Sequence, residues 1–488
     1  MTLTNALARA ARASLWRTLG ALAILGAAGV CGGCSSHPSA GTGGSTASTS
    51  STGSSSSSSS TSSSSSMGSS SSLSSTSSSS STSSGSPPTC AAGERPFLVQ
   101  NACAETVWLG ITAGTIGCQT TADCPAGGAS CNGGACTCAA DADCTPIGQC
   151  SPDNHQCFWA LPALGASQLE LGQGATATVC FPPPATGEAT QWSGNLWART
   201  GCDAGGQGCA TGACGNAAAE PCPVGQGGTP PVTLAEFTLS NQSVASPASD
   251  FYDVSIINGI NVPVSMTPFP GTFGAHAGDP YSCGSPGAPT QPGPLGGCSW
   301  QVAPIVGGVD ETTWVRDVPS SGAACTQDSD CPSAEVCGLA QNGASFSRSC
   351  GISVGWWTAD QICGTDPTFG APIDCADTVT NHDGSTSTYT NLFQCSGAQA
   401  VSCYSTGASV DCCGCGTDAP GWPGVLGSGF ACASDNPSWE AHAEPWLLYL
   451  KKACPTAYTY PFDDATSTFT CQPGAATPPV AYTITFCP

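Results

Sequence analysis

Cysteine constrains this chain more than any other residue. Thirty-four are spread over 488 positions, and all but Cys31 and Cys34 fall between Cys90 and Cys487. Such a density suits a loop-rich domain stapled by disulfides in an oxidising compartment, not a cytosolic enzyme. The remaining composition agrees, with only 8% charged residues against 62 glycines and 39 prolines. Nine basic residues face 32 acidic ones, a formal charge of −23. A field of that sign disfavours nucleic acid and anionic membrane surfaces as partners and leaves neutral sugars or cationic groups.

Part of the cysteine pattern repeats. CQTTADCP (118–125), CAADADC (138–144) and CTQDSDCP (325–332) each set two cysteines six apart, with aspartate just before the second. Units this small cannot bury a core of their own, so they read as stapled insertions. Only His155 lies near the first two, which favours disulfides over zinc, and no calcium-loop spacing surrounds the aspartates. The five histidines, His37, His155, His276, His382 and His442, show no ligand spacing, so no metal and no cofactor is expected.

The N-terminal segment reads as targeting, not fold. Arg9, Arg12 and Arg17 precede a short apolar run (19–30), and Gly32 and Gly33 precede Cys34. The run is too short for a transmembrane helix. Residues 1–34 resemble a bacterial lipoprotein signal with Cys34 as the lipidated residue; ordinary secretion is the alternative. Losing Cys31 and lipidating Cys34 leaves an even number of cysteines to pair. Residues 35–89, nearly all Ser, Thr and Gly, read as a disordered tether spanning roughly 40 Å. The expectation is a monomeric domain over 90–488, held on a cell surface or outer membrane.

Within that domain short segments alternate apolar and polar residues between Gly, Pro and Asn: PFLVQNACAETVWLGITAG, LELGQGATATVCF, QWSGNLWART, PVTLAEFTL and DFYDVSIINGINVPVSM. Their length and spacing predict a mainly β sandwich or flattened barrel. Residues 118–157 interrupt it as a Cys-rich insertion, and 271–350 lose periodicity, with a Cys-rich unit at 325–350. Residues 351–454 form a Cys-rich second lobe with helical character. There NPSWEAHAEPWLLYLKKACP is the clearest helix, with Asn436 at the N-cap, Pro437 at N1 and Pro445 kinking or dividing it.

These motifs, in this order, resemble the thaumatin-like proteins: VxNxCxxTVW, then WARTGC with its small cysteine ladder, TLAEF, DFYDVS, the GxNxP turn, and TYPFDDATSTFTC with YTITFCP. The resemblance implies a β-sandwich core with a disulfide-rich, partly helical second lobe. It also implies the pairs Cys103–Cys487, Cys202–Cys209 and Cys214–Cys222. In many members an acidic cleft holds one arginine, one glutamate and three aspartates. Carried across motif by motif, these positions are Arg199, Glu236, Asp253, Asn258 and Asp463, the last ahead of Asp464. Asn258 stands where the family has an aspartate, so one acid is missing, and Ala213 replaces the aspartate of the family's ladder motif.

A carboxylate pair beside an arginine suits sugar chemistry. Glu236 would be the general acid if burial raises its pKa, with Asp253 its ionised partner. Arg199 would hold a carboxylate charged, anchor a hydroxyl, or simply pair with Glu236. The family implies two functional readings, binding of a β-1,3-glucan-type polysaccharide and weak endo-β-1,3-glucanase activity through Glu236 and Asp253. The Cys-rich insertions, outside the resemblance, offer a third, capture of a cell-surface protein. GISVG (351–355) matches a serine nucleophile elbow literally but follows a cysteine in a stapled lobe, and CCGC (412–415) lacks a thioredoxin-like surround. Of the adjacent Trp356 and Trp357, one is available for stacking on a sugar unless both pack inside.

Overall fold

The structure is a computed structural model that describes residues 88–488 apart from 166–168, 186–187, 215–221, 243–247, 292–293, 303–311, 317–321, 415–431 and 475–478. The signal segment, Cys34 and nearly all of the Ser-rich tether lie outside the described residues. Among those described, no helix is long and apolar enough to cross a membrane.

Fourteen strands carry the argument. They are β1 (Arg95–Asn101), β2 (Val107–Ala113), β3 (Glu170–Leu171), β4 (Thr176–Phe181), β5 (Thr190–Thr200), β6 (Leu234–Ser240), β7 (Asp250–Ser255) and β8 (Val264–Pro268). After these come β9 (Thr313–Arg316), β10 (Val336–Asn342), β11 (Ser345–Trp356), β12 (Ala457–Tyr458), β13 (Phe469–Cys471) and β14 (Tyr482–Phe486). The smaller sheet runs β8–β14–β1–β4, and the larger runs β12–β7–β6–β5–β2–β3 with β13 also on β7. The fold is mainly β, as a sandwich of these two sheets.

Alternation in the sequence explains how the sheets close on one another. Phe97 and Phe181 point inward from the smaller sheet, and Trp192 and Phe237 from the larger. Their rings meet with centroids 4.7 Å apart for Phe97–Phe181, 4.8 Å for Phe97–Phe237 and 4.6 Å for Phe181–Trp192. Aromatic burial on this scale supplies most of the drive for sheet packing. Beside it a buried polar knot crosses the sandwich. Arg95 Nη2 lies 2.5 Å from Asp250 Oδ2, which also accepts from Tyr482 Oη at 2.9 Å.

Disulfides tie loops to this frame. Cys103 is bonded to Cys487 beside the paired strands β1 and β14, Cys202 to Cys209, and Cys214 to Cys222. Cys283–Cys471 and Cys298–Cys454 fasten the irregular segment to the end of the chain. In the second lobe Cys412 pairs with Cys403 and Cys413 with Cys395, so adjacent cysteines of CCGC serve two separate staples.

The three repeated units share one connectivity, first cysteine to third and second to fourth: Cys118–Cys131 with Cys124–Cys136, Cys138–Cys150 with Cys144–Cys157, and Cys325–Cys337 with Cys331–Cys350. The aspartate before the second cysteine caps a short 3₁₀ turn. Asp123 accepts from Thr120 N at 2.7 Å, Asp143 from Ala139 N at 2.7 Å and Asp330 from Thr326 N at 2.8 Å. These backbone donors hold all three carboxyls below the ordinary range. The aspartates therefore finish turns.

The segment 271–350 departs from its expected irregularity: β9, β10 and β11 pair with one another as a small closed sheet that carries the third unit. Because β11 continues to Trp356, the helical lobe starts after it and not at 351. Ser353 of GISVG sits within this strand opposite Val315, not on a strand-to-helix turn. The lobe contains α1 (Ala359–Thr365), α2 (Tyr389–Phe393), α3 (Pro437–His442), α4 (Glu444–Ala453) and the short α5 (Asp464–Ser467). Asn436 caps α3 through Trp439 N at 3.1 Å, and Pro445 in the first turn of α4 accounts for the break between the two helices. Trp357 is buried against Trp314 and Phe346, while Trp356 is half-buried.

Candidate functional site

The antiparallel register sets the site. Across β5, β6 and β7, Asn195 lies opposite Glu236, and Glu236 opposite Asp253. Thr112 of β2 extends the row on the far side of Asn195. Their neighbours Leu196, Ala235 and Val254 are buried between the sheets. A period of two therefore sends the polar side chains to the opposite face. Directly paired residues hold their Cβ atoms about 5 Å apart, so the two carboxylates stand side by side on one wall.

Asn195 Nδ2 donates to Glu236 Oε1 at 3.4 Å. Burial raises the Glu236 pKa, opposed by the side chains of Ser255 and Asn195. Asp253 is driven further, well above the usual carboxylate range. Burial is the largest cause, followed by the charges of Glu236, Asp464 and Asp463, with Lys451 pulling the other way. Both members of the pair are thus raised by burial, and they titrate as one coupled unit. Asp253 Oδ1 and Asn195 Oδ1 are both buried without a hydrogen-bond partner. Two acceptors in one row thus await donors.

Asp463 does not line this wall. Its side chain is fully buried, 2.6 Å from Lys451 Nζ, and accepts from Thr459 N and Oγ1 at 2.9 Å each and from Thr466 Oγ1. Its charge reaches Asp253, but its oxygens are spent inside the protein. The half-buried Asp464 lies beside Tyr458 and contributes to raising both Tyr458 and Asp253.

Arg199 is likewise set apart. It is paired with Trp108, four residues along β5 from Asn195, which is about 13 Å along an extended strand. Between them on the same face lies Trp197, fully buried beneath Cys214, Cys222, Val232 and Leu234. A Cβ at Gly110 would stand 2.2 Å from the Trp197 ring, so glycine there makes room for the indole. Arg199 donates to Gly206 O at 3.1 Å and Leu109 O at 3.3 Å, and neither the ion pair with Glu236 nor a carboxylate-holding role in the pair fits this register.

Asn258 sits half-buried in the turn after β7, where Gly259 adopts φ +85°. Gln361 Nε2, from α1, donates to Asn258 Oδ1 at 3.1 Å. A separate cavity of about 360 Å³ lies between the ladder residues Thr211 and Ala213 and the inserted β9 and β10, with Trp314, Arg316 and Gln341 on its wall. None of the row's carboxylates lines it.

With this geometry in view, the comparisons are specific. The model of the thaumatin family matches residues 160–417 and 425–488, more than half of the chain. The chain belongs to the thaumatin family. Among similar proteins, a pathogenesis-related thaumatin-like protein 3.5 of Cryptomeria japonica is 28% identical over 335 residues, covering 68% of this chain and 85% of its own. Pathogenesis-related protein 5 of Arabidopsis thaliana is 44% identical over 114 residues, 23% of this chain and 41% of its own. A glucan endo-1,3-beta-glucosidase of Prunus avium is 40% identical over 114 residues, again 23% of this chain and 41% of its own. This thaumatin-family chain thus spans under half the length of two of these three relatives. Sequence reasoning missed Asn195, Ser255 and Lys451 as neighbours of the carboxylates. The one signal present was the alternation Asn195-x-Trp197-x-Arg199, which puts Asn195 on the arginine's face.

Proposed function

We propose that the row Asn195–Glu236–Asp253, with Asn258 at its edge, binds a neutral polysaccharide of the β-1,3-glucan type. The observation that carries this reading is the pair of buried acceptors, Asp253 Oδ1 and Asn195 Oδ1, without donors. Sugar hydroxyls are donors that bring no charge into a site already crowded with carboxylates. Isothermal titration of the oxidised protein with a soluble β-1,3-glucan tests it. Saturable binding is expected, weakened about tenfold or more (about 1.4 kcal/mol) by Glu236→Gln. No binding to any glucan overturns it.

Hydrolysis is the second reading, favoured by two adjacent carboxyls that burial raises and by the name of the cherry relative. Against it, Glu236 and Asp253 are cross-strand neighbours on one wall, whereas glycosidase carboxyls flank the scissile bond. Reducing-end release that disappears in Glu236→Gln would establish turnover. A lipid anchor at Cys34 on a cell surface belongs to this proposal as the way the binding domain is displayed, and metabolic labelling with a fatty acid, lost in Cys34→Ala, tests it.

A further inference from the structure

The cavity beside the cysteine ladder is built from parts that the sheet row does not use. On one side stand the ladder and the Thr229–Pro230 loop, on the other the inserted small sheet at β9 and β10. Both sides are fixed. Cys202–Cys209 and Cys214–Cys222 staple the ladder, while Cys325–Cys337 and Cys331–Cys350 staple the insertion. Trp197 Nε1 donates to Gly212 O at 2.7 Å, Asn261 Nδ2 to Thr211 Oγ1 at 2.9 Å, and Thr229 N to Ala213 O at 2.7 Å. At about 360 Å³ the space falls at the lower end of small-ligand pockets, roughly 300–1,000 Å³. It suits a small molecule and not a polymer strand.

Its charge is opposite to that of the protein as a whole. The chain carries 32 acidic residues, yet among the described residues lining the cavity there is no Asp or Glu, and there is Arg316. Arg95 is spent on Asp250 and Arg199 on backbone carbonyls. Arg316 is exposed, and its guanidinium has no hydrogen bond or ion pair among the described residues. Nor do the Thr229 hydroxyl and the Gln341 amide oxygen, whereas Gln341 Nε2 is held by Gly343 O at 3.1 Å. A free guanidinium takes a carboxylate through two parallel N–H donors, and a hydroxyl and an amide oxygen take hydroxyl donors. We propose that this cavity is a second ligand site, for an acidic sugar of the hexuronate class, with the carboxylate on Arg316 and ring hydroxyls on Thr229 and Gln341. The net charge of −23 opposes an anion at long range, but salt screens that field beyond about 8 Å, so the guanidinium in contact decides. The site is independent of the Asn195–Glu236–Asp253 row and of the ligand proposed there.

Chemical-shift titration of the oxidised, full-length protein with glucuronate, glucose and acetate tests this. Glucuronate should bind saturably. Glucose lacks the carboxylate and acetate lacks the hydroxyls, so each should bind about tenfold or more weakly than glucuronate. Glucose binding as tightly overturns the contact with Arg316, and acetate binding as tightly overturns the sugar. No saturable binding of glucuronate overturns the site. Arg316→Gln should weaken glucuronate about tenfold or more. Ala213→Leu, which fills the cavity and leaves the arginine in place, should weaken it as much, and Glu236→Gln should match wild type. Wild-type affinity in either cavity variant, or a loss in Glu236→Gln, puts the sugar outside this cavity and overturns the proposal. Should Ala213→Leu fail to fold, Arg316→Gln, a change at an exposed side chain, still decides.

Discussion

Lys451 Nζ lies 2.6 Å from Asp463 Oδ2 with both side chains fully buried, and it also donates to Ala457 O of β12, the edge strand paired with β7. The ion pair is thereby built into the sheet edge next to Asp253, where the lysine charge lowers the Asp253 carboxyl and the Asp463 charge raises it. A residue chosen by motif as a ligand contact is in fact the counter-charge of a structural lysine.

Removing that lysine should be severe. Lys451→Met leaves Asp463 as an uncompensated buried charge, at a cost of about 3–5 kcal/mol. Denaturant unfolding with the disulfides intact measures it, and a loss below about 1 kcal/mol would contradict the buried pair.

Asp253 should make the fold less stable as pH rises. Its folded pKa is raised by burial and by Glu236, Asp464 and Asp463, so the folded state binds the proton more tightly than the unfolded chain. That contribution is complete below the unfolded carboxylate value, about 4, and is lost as pH climbs through the raised folded value. Asp253→Asn abolishes the loss. Melting curves should separate from wild type in favour of the variant as pH goes from 4.5 to 8, and a gap that stays constant or shrinks would refute the raised value.

Asn261, the asparagine of the GxNxP turn, joins four chain segments. Its Oδ1 accepts from Thr233 N at 3.0 Å and Val262 N at 2.8 Å, and its Nδ2 donates to Ala198 O at 2.8 Å and Thr211 Oγ1 at 2.9 Å. Asn261→Ala strands these partners and should cost about 2–4 kcal/mol. Unchanged unfolding midpoints would mean that water replaces the amide fully.

In the repeated Cys units the aspartates act locally. Asp143→Ala removes the acceptor for Ala139 N and Ala140 N. Hydrogen exchange at those two amides should quicken while glucan affinity stays within twofold of wild type. A change in affinity would place the insertion at the ligand.

Much of the frame was legible because it depends on local periods. Alternation in TLAEFTL and DFYDVS marks β6 and β7 and assigns Glu236 and Asp253 to the face away from Phe237 and Val254. Asn436, Pro437 and Pro445 mark the start and the division of a helix through capping and a missing backbone donor. The cysteine-aspartate repeat marks three stapled turns, and the family motifs carry the order of strands.

What the sequence by itself determined was therefore the β-sandwich class, the stapled insertions and which side chains share a face. Only the tertiary structure decided who stands beside whom. Register between strands 40 residues or more apart put Asn195 next to Glu236 and left Arg199 behind Trp197. Packing of α4 and β12 turned Asp463 inward, and the clamp of α1 on the 257–260 turn brought Gln361 within reach of Asn258. Protonation followed from these placements: desolvation and the field of neighbouring charges fall off with distance through space, and distance through space is not written in any local pattern.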